Sequence, residues 1–366
     1  MKDVIPDRKK IAPFLLFYIL STMQVGVGIL GYQNFVSQFA GYDAWISVIL
    51  SGLFIMGILY LIFKMLEIAD GDLLDIHTYI FGRKLSKILT SIFILYYCLI
   101  VITIIRNYIE MVQVWMFPII QVFWLALTIL IMCIYIVKSG FRTIVGICFF
   151  SFLLPFVIAP VFLFTLPYAD FSNMLPIMDH SIVDIIRGVK GMMFTITGFE
   201  MILFFYPFIK DPRTSRKWGY FSILATIILY LYLIVLTFAY FPPDQLVKNI
   251  WPTLTMWQII QFPFIERFEY IGIAAWLLII LPNVCLSLWI ASRLCKRIFK
   301  VSQKGSLYFI VLVCLVATSF LLTREQVTFV TDIAGQMSFY FIFVYIPFLF
   351  IATLIAKKVR NHGKGS

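Results

Sequence analysis

Histidine is scarce in this chain: three residues in 366, His77, His180 and His362, all read as loop or tail positions. Cysteine is little commoner. Cys98, Cys133, Cys148, Cys285, Cys295 and Cys314 fall in or beside apolar stretches, and no C-x-x-C pair occurs. Metal centres and histidine-based catalysis need clustered His, Cys and carboxylate groups. The chain has almost no material for either, so no metal, cofactor or enzymatic activity is expected. The cysteines read as small polarizable packing residues, not as disulfides. Charge is the third scarcity: 13% of residues are charged and 62% are hydrophobic. That balance excludes a soluble domain and indicates an all-α polytopic protein embedded in a lipid bilayer.

Apolar windows of roughly 20 residues predict ten transmembrane helices at 11–35, 43–65, 86–113, 119–137, 142–166, 185–209, 218–241, 268–295, 306–323 and 334–356. The stretch after the charged N-terminus is full-length and lacks a small-residue cleavage site, so it reads as a retained first span and not as a signal peptide. A short amphipathic piece at Leu73–Phe81 is expected at the surface between spans 2 and 3.

With ten spans, both termini and alternate loops share one side. That side collects most of the 29 Lys and Arg residues: Lys2 and Arg8–Lys10, Lys64 and Arg83–Lys87, Lys138 and Arg142, Lys210–Lys217, Arg293–Lys304, and the tail from Lys357 to Lys364. The positive-inside rule then places tails 1–10 and 357–366 in the cytoplasm. The net charge of +11 is thereby explained as topology, and no nucleic-acid partner is called for. The whole chain, 1–366, reads as one transmembrane domain. Its halves, about 11–166 and 185–356, each hold five spans, and an odd number makes the second half run inverted to the first.

Two spans are interrupted. Met23-Gln24-Val25-Gly26-Val27-Gly28 breaks span 1, and Thr195-Ile196-Thr197-Gly198-Phe199-Glu200 breaks span 6. Hydrocarbon offers no partners for freed backbone groups, so irregular backbone is tolerated only where it is buried in protein or lines a cavity. Paired breaks in corresponding spans mark a midplane binding site, the LeuT-like arrangement. Half-helix ends carry partial charges of about ±0.5, so carbonyls near Gln24 and N–H groups near Gly28 would suit a zwitterion such as an amino acid. The candidate ligand residues are Gln24, Val25, Gly26, Gly28, Thr195, Thr197, Gly198 and Phe199. Close packing of Gly26 and Gly28 against a neighbouring helix is the alternative for span 1.

Four further features bear on the site. Glu200, a carboxylate within a span, suits ligand recognition, proton coupling or capping of a half-helix. Arg106 and Glu110 are spaced for an i,i+4 ion pair, with a bridge from Arg106 to Glu200 as the other option. Tyr96, Ile100 and Thr103 share a face of span 3. In span 8, Pro282 frees a carbonyl one turn back, while Asn283 and Ser287 offer polar groups.

Together these segments resemble the B-subunit family of spore germinant receptors, the endospore germination permeases. The resemblance is carried by Ile250-Trp251-Pro252-Thr253, Phe264-Ile265-Glu266-Arg267-Phe268-Glu269, Gly26-x-Gly28, Arg106-x-x-x-Glu110 and Gly198-Phe199-Glu200, and it spans nearly the whole chain. It implies a fold akin to the amino acid–polyamine–organocation transporters. It also implies a subunit of the spore inner membrane that senses a small-molecule germinant, usually an amino acid, beside A and C subunits, and that triggers ion release. By position, Tyr96, Ile100, Asn283 and Ser287 match family sites that line the ligand pocket. An autonomous proton-coupled amino acid permease would use the same pocket.

Overall fold

The computed structural model describes residues 5–193, 195–260 and 267–362. Among them the backbone forms helices and connecting turns, with one isolated bridge between Ile11 and Ile209. The α-helices are α1 Leu15–Met23, α2 Tyr32–Ala40, α3 Ala44–Ala69, α4 Leu73–Trp115, α5 Val122–Ser139, α6 Phe141–Ile158, α7 Ile182–Met192 and α8 Ile202–Phe205. They continue with α9 Arg216–Tyr240, α10 Pro243–Leu246, α11 Pro252–Trp257, α12 Phe268–Phe299, α13 Gln303–Phe320, α14 Arg324–Tyr340 and α15 Ile346–His362. Eight helical stretches are long and apolar enough to cross a bilayer. The two remaining predicted segments, 11–35 and 185–209, are each interrupted midway.

Local chemistry sets the boundaries. Asp72 caps α4 in a reciprocal arrangement with Asp75, its carboxylate accepting from the N–H groups of Leu74 and Asp75, which satisfies N–H groups a helix start leaves open. Thr323 and Gln326 do the same for α14. Gly82, at φ +75°, takes a backbone conformation that suits glycine and divides α4 into a short first segment and a membrane-crossing one. Pro160 and Pro167 have no N–H to donate, and the end of span 5 tightens there into a 3-10 stretch, Ala159–Tyr168. Span 10 runs longer than predicted, from α14 through a π-helical turn at Phe341–Tyr345 into α15. Exposed Leu95, Phe150, Val157 and Phe309 belong to helices that pack on one side only. In a bilayer such side chains face lipid at no penalty. The most deeply buried span is α12, which packs against α4, α6 and α13.

The first segment of α4 differs from the expected surface helix. Leu73, Leu74, Ile76 and His77 are buried. His77 is therefore no loop residue: its Nδ1 pairs with Thr90 Oγ1 at 2.7 Å and its Nε2 with the Tyr345 hydroxyl at 2.8 Å. Both ring nitrogens are used in packing, which explains a buried imidazole without metal or catalysis. All six cysteines are free thiols, four of them buried. The Phe264-Ile265-Glu266 part of the family motif, with Lys2 and Lys364 of the charge pattern, lies outside the described residues.

Candidate functional site

The first break begins where α1 ends at Met23, and helical bonding resumes only through a 3-10 turn, Gly28–Leu30, into α2. The carbonyls released by this unwinding find side-chain donors on other helices. Asn283 Nδ2 lies 3.3 Å from the carbonyl oxygens of both Thr22 and Val25. The Tyr230 hydroxyl donates to Gln24 O at 3.0 Å, and the Trp276 indole N–H to Gly26 O at 3.2 Å. The N–H groups of Gly26, Val27 and Gly28 have no acceptor among the described residues. The break is thus closed on its carbonyl side and open on its N–H side.

The second break follows α7. Gly198, at φ +113°, turns the chain, and its N–H donates to Glu200 Oε2 at 2.7 Å. Glu200 accordingly caps the half-helix that starts at Phe199, with its negative charge at the positive helix end. The two breaks touch. A Cβ at Gly198 would stand 2.5 Å from the Met23 carbonyl oxygen, and one at Gly28 would collide with the Thr195 side chain. Glycine is required at both because another break occupies the space. Gly26 is different: a Cβ there meets nothing within 4 Å.

Between the breaks lies a cavity of about 280 Å³, near the small end of the ~300–1,000 Å³ typical of ligand pockets. Gly26, Gly28, Thr195, Thr197, Gly198, Glu200, Tyr96, Ile100 and Asn283 line it. Glu200 is the one charged lining residue among those described. Thr103 lines it too, and the hydroxyls of Thr103 and Thr195 have no partner among the described residues. From the breaks the cavity runs along Ile100, Thr103, Ile104 and Asn107 of α4 to Trp251, away from the chain termini. On the terminal side the two broken spans are zipped together, Ile11 N–H to Phe208 O at 2.8 Å and Lys210 N–H to Ile11 O at 3.0 Å. Phe141, Phe208 and Trp289 pack together below in tilted and edge-to-face contacts, with the Arg293 guanidinium 4.6 Å from the Phe208 ring centre. Arg297 pairs with Asp72 and, at 3.1 Å, with Asp75, tying α12 to the start of α4.

Six predicted residues do not line the cavity. Gln24 is fully buried, its two side-chain amide atoms without a partner among the described residues, and Val25 contributes its carbonyl. Phe199 is packed in the core, and the Ser287 hydroxyl returns to Asn283 O at 2.8 Å. The expected Arg106–Glu110 pair is replaced by two other contacts. Arg106 Nε donates to Leu321 O at 2.6 Å, satisfying a carbonyl at the end of α13, while Glu110 pairs with Arg324 at 3.3 Å. Neighbouring turns offered both groups better partners than each other, and Arg106 makes no bridge to Glu200. The carbonyl freed by Pro282 is that of Leu278, taken by the Ser151 hydroxyl at 2.6 Å.

Sequence reasoning missed Trp251 as a lining residue, although its motif was noticed, and it missed Tyr230 and Trp276 as donors to the carbonyls of the first break. Thr331, Ala334, Gly335 and Ser338 of α14 were missed too, and they line the cavity. Their i, i+3, i+4, i+7 spacing of small and polar residues in an apolar helix was the available signal. Gln33 and Asn34 of α2 hold the Trp251 loop, through Thr253 Oγ1 at 2.8 Å and Leu246 O at 2.7 Å.

Comparison with known proteins places this geometry. Residues 10–327 match the spore permease family, described as spore germination protein. The chain is 40% identical to spore germination protein GerQB of Bacillus cereus, over 98% of this chain and 99% of that one. Spore germination proteins YndE and KB of Bacillus subtilis are 20% and 21% identical, over 94% and 98% of this chain and 96% and 98% of theirs. Among solved structures, a substrate-bound, outward-open Na⁺-coupled sialic acid symporter superposes with TM-score 0.63 at 14% identity, covering 93% of this chain and 81% of that one. The fold is thus LeuT-like and all-α, and the chain belongs to the spore germination protein family.

Proposed function

We propose that this chain is the germinant-sensing membrane subunit of a spore germination receptor, seated in the spore inner membrane with both termini on the core side. A small polar germinant of the amino-acid class occupies the cavity between the two breaks. The observation that carries this reading is the junction of the breaks themselves: Gly26, Val27 and Gly28, whose N–H groups have no acceptor among the described residues, line the same cavity as Glu200. Oriented N–H groups at a half-helix start suit a carboxylate, and Glu200 supplies the counter-charge for an ammonium. The carbonyls that would otherwise hold the ammonium are already taken by Asn283, Tyr230 and Trp276. Occupancy favours one arrangement of the broken spans over another, and a ligand shifts such an equilibrium only by its differential affinity for the two states. The A and C subunits then read the shift.

The closure at Ile11–Phe208 and Arg297–Asp72 means that a ligand reaches the cavity past Trp251, an entry that a receptor and an outward-open permease would share. The test is uptake by proteoliposomes holding the purified chain alone, set against germinant response in spores. Binding without saturable uptake supports the receptor. Robust proton-driven accumulation that Glu200→Gln abolishes would make the chain a proton-coupled permease instead.

A further inference from the structure

Six cations from three helices line one cleft on the terminal side. Arg83 and Lys87 come from α4, Lys296, Arg297 and Lys300 from the end of α12, and Arg360 from α15. The cleft measures about 820 Å³, and Asp75 is its one acidic lining residue among those described. Arg297 is committed to Asp72 and Asp75. The Arg360 guanidinium donates to Tyr79 O at 2.9 Å and lies 4.1 Å from the Tyr79 ring centre. Arg83, Lys87, Lys296 and Lys300 have no acidic partner among the described residues.

One side of this cluster follows from local structure. Lys296 and Lys300 stand at the C-terminal end of α12, where a helix dipole favours cations. Arg83 and Lys87 stand at the opposite kind of end. They follow Gly82 at the start of the membrane-crossing segment of α4, where the dipole is positive. Topology calls for basic residues along the loops of one side of the bilayer. It does not call for their convergence on one concavity, where they repel unless an anion sits among them.

A second observation indicates the kind of anion. An apolar groove of about 470 Å³ lies between α4 and the π-helical turn that joins α14 to α15, with Leu89, Ile92, Phe93, Val344 and Phe348 in its walls. Ile92, Val344 and Phe348 are more than half exposed, so the groove opens to hydrocarbon. Ser86 of the cleft and Leu89, Phe93 and Tyr96 of the groove are spaced i, i+3, i+7 and i+10, a single stripe of α4. At about 1.5 Å of rise per residue, the groove starts within a turn of Lys87.

We propose that cleft and groove together hold one anionic phospholipid, with its phosphate among Arg83, Lys87, Lys300 and Arg360 and an acyl chain along Leu89, Ile92 and Phe93. Basic pockets between transmembrane helices bind such head groups. A soluble phosphate compound matches the cleft but leaves the groove unused. Tyr96 lines both the groove and the cavity between the breaks, and its hydroxyl lies 2.8 Å from Ser338 Oγ of α14. The lipid therefore packs on a wall of the cavity and braces α4 against α14.

The purified full-length chain is melted in neutral detergent with increasing phosphatidylglycerol, phosphatidylcholine or glycerol 3-phosphate. Phosphatidylglycerol should raise the unfolding temperature by several degrees along a saturable curve, because a ligand of the folded state stabilises it. Phosphatidylcholine should not. Lys87→Gln/Lys300→Gln should melt like the wild type in phosphatidylcholine and lose most of the phosphatidylglycerol shift. Lys138→Gln/Lys210→Gln removes the same charge outside the cleft and should keep the shift. Equal stabilisation by the two lipids would overturn the proposal, as would equal loss in the two double variants, the mark of general surface attraction. A matching shift from glycerol 3-phosphate would overturn the lipid and assign the cleft to a soluble phosphate compound. If Lys87→Gln/Lys300→Gln does not accumulate, the three additives on the wild type decide by the same criteria. No germinant enters the measurement, so its failure is separable from failure of the receptor reading.

Discussion

The three glycines of the breaks differ in what surrounds them, and that difference separates blocking the cavity from breaking the fold. At Gly198, alanine must adopt φ +113° and place its Cβ 2.5 Å from the Met23 carbonyl oxygen. Left-handed backbone costs about 1–2 kcal/mol for an L-residue, and overpacking adds about 1–3 kcal/mol. The sum is a large share of the ~5–15 kcal/mol that holds a typical domain together. At Gly26 neither term applies, because the backbone is not left-handed and a Cβ meets nothing within 4 Å. Leucine there extends into a cavity of about 280 Å³ and occupies the place of the ligand. Gly26→Leu should therefore reach the membrane in normal amount, unfold near the wild-type temperature and leave spores unresponsive to germinant. Gly198→Ala should lose thermal stability and abundance together. The assays are melting of the extracted protein, membrane abundance and the germinant dose–response of spores. A normal dose–response in Gly26→Leu would refute the placement of the ligand. A stable Gly198→Ala would refute the contact between the breaks.

Three further outcomes follow from named contacts. Glu200→Gln removes the one charged group that lines the cavity among the described residues; at about 1.5–3 kcal/mol for a hydrogen bond to a charged group, the concentration for half-maximal response should rise about 10- to 150-fold, and an unchanged value would exclude Glu200 from recognition. Tyr230→Phe deprives Gln24 O of its donor, and leaving that carbonyl unsatisfied should cost about 1–3 kcal/mol, read as a lowered melting temperature that Trp or Leu at the same position would not restore. Asp72→Asn weakens the buried tie to Arg297, whose loss costs up to about 3–5 kcal/mol. Hydrogen exchange at the amides of Ile11 and Lys210, which close the terminal side, should then quicken, and protection equal to wild type would show that the closure stands without it.

Membrane residence, the all-α class and the two interrupted spans were legible in the chain because each is written locally. Apolar runs of bilayer length, basic loops on alternate sides, and glycines beside polar groups inside hydrocarbon stretches need no knowledge of neighbours. Arg106 and Glu110 show where that legibility ended. Their spacing on one helix permits an ion pair, yet the Leu321 carbonyl and Arg324, brought close only by packing of α13 and α14 on α4, took each of them. His77 read as a surface residue because the Tyr345 hydroxyl that satisfies it is 268 positions away.

The glycines make the same point inside the site. Sequence alone placed Gly26, Gly28 and Gly198 together as marks of unwinding. Tertiary structure divided them, making Gly28 and Gly198 the contact between the breaks and Gly26 an open wall of the cavity. It likewise turned Asn283 from one more pocket residue into the group on which three carbonyls converge. Backbone unwinding is decided by the residues that unwind, so the sequence carries it. Which freed carbonyl or N–H remains open to a ligand is decided by the donors and acceptors other helices bring to it, and only the packed structure determines those.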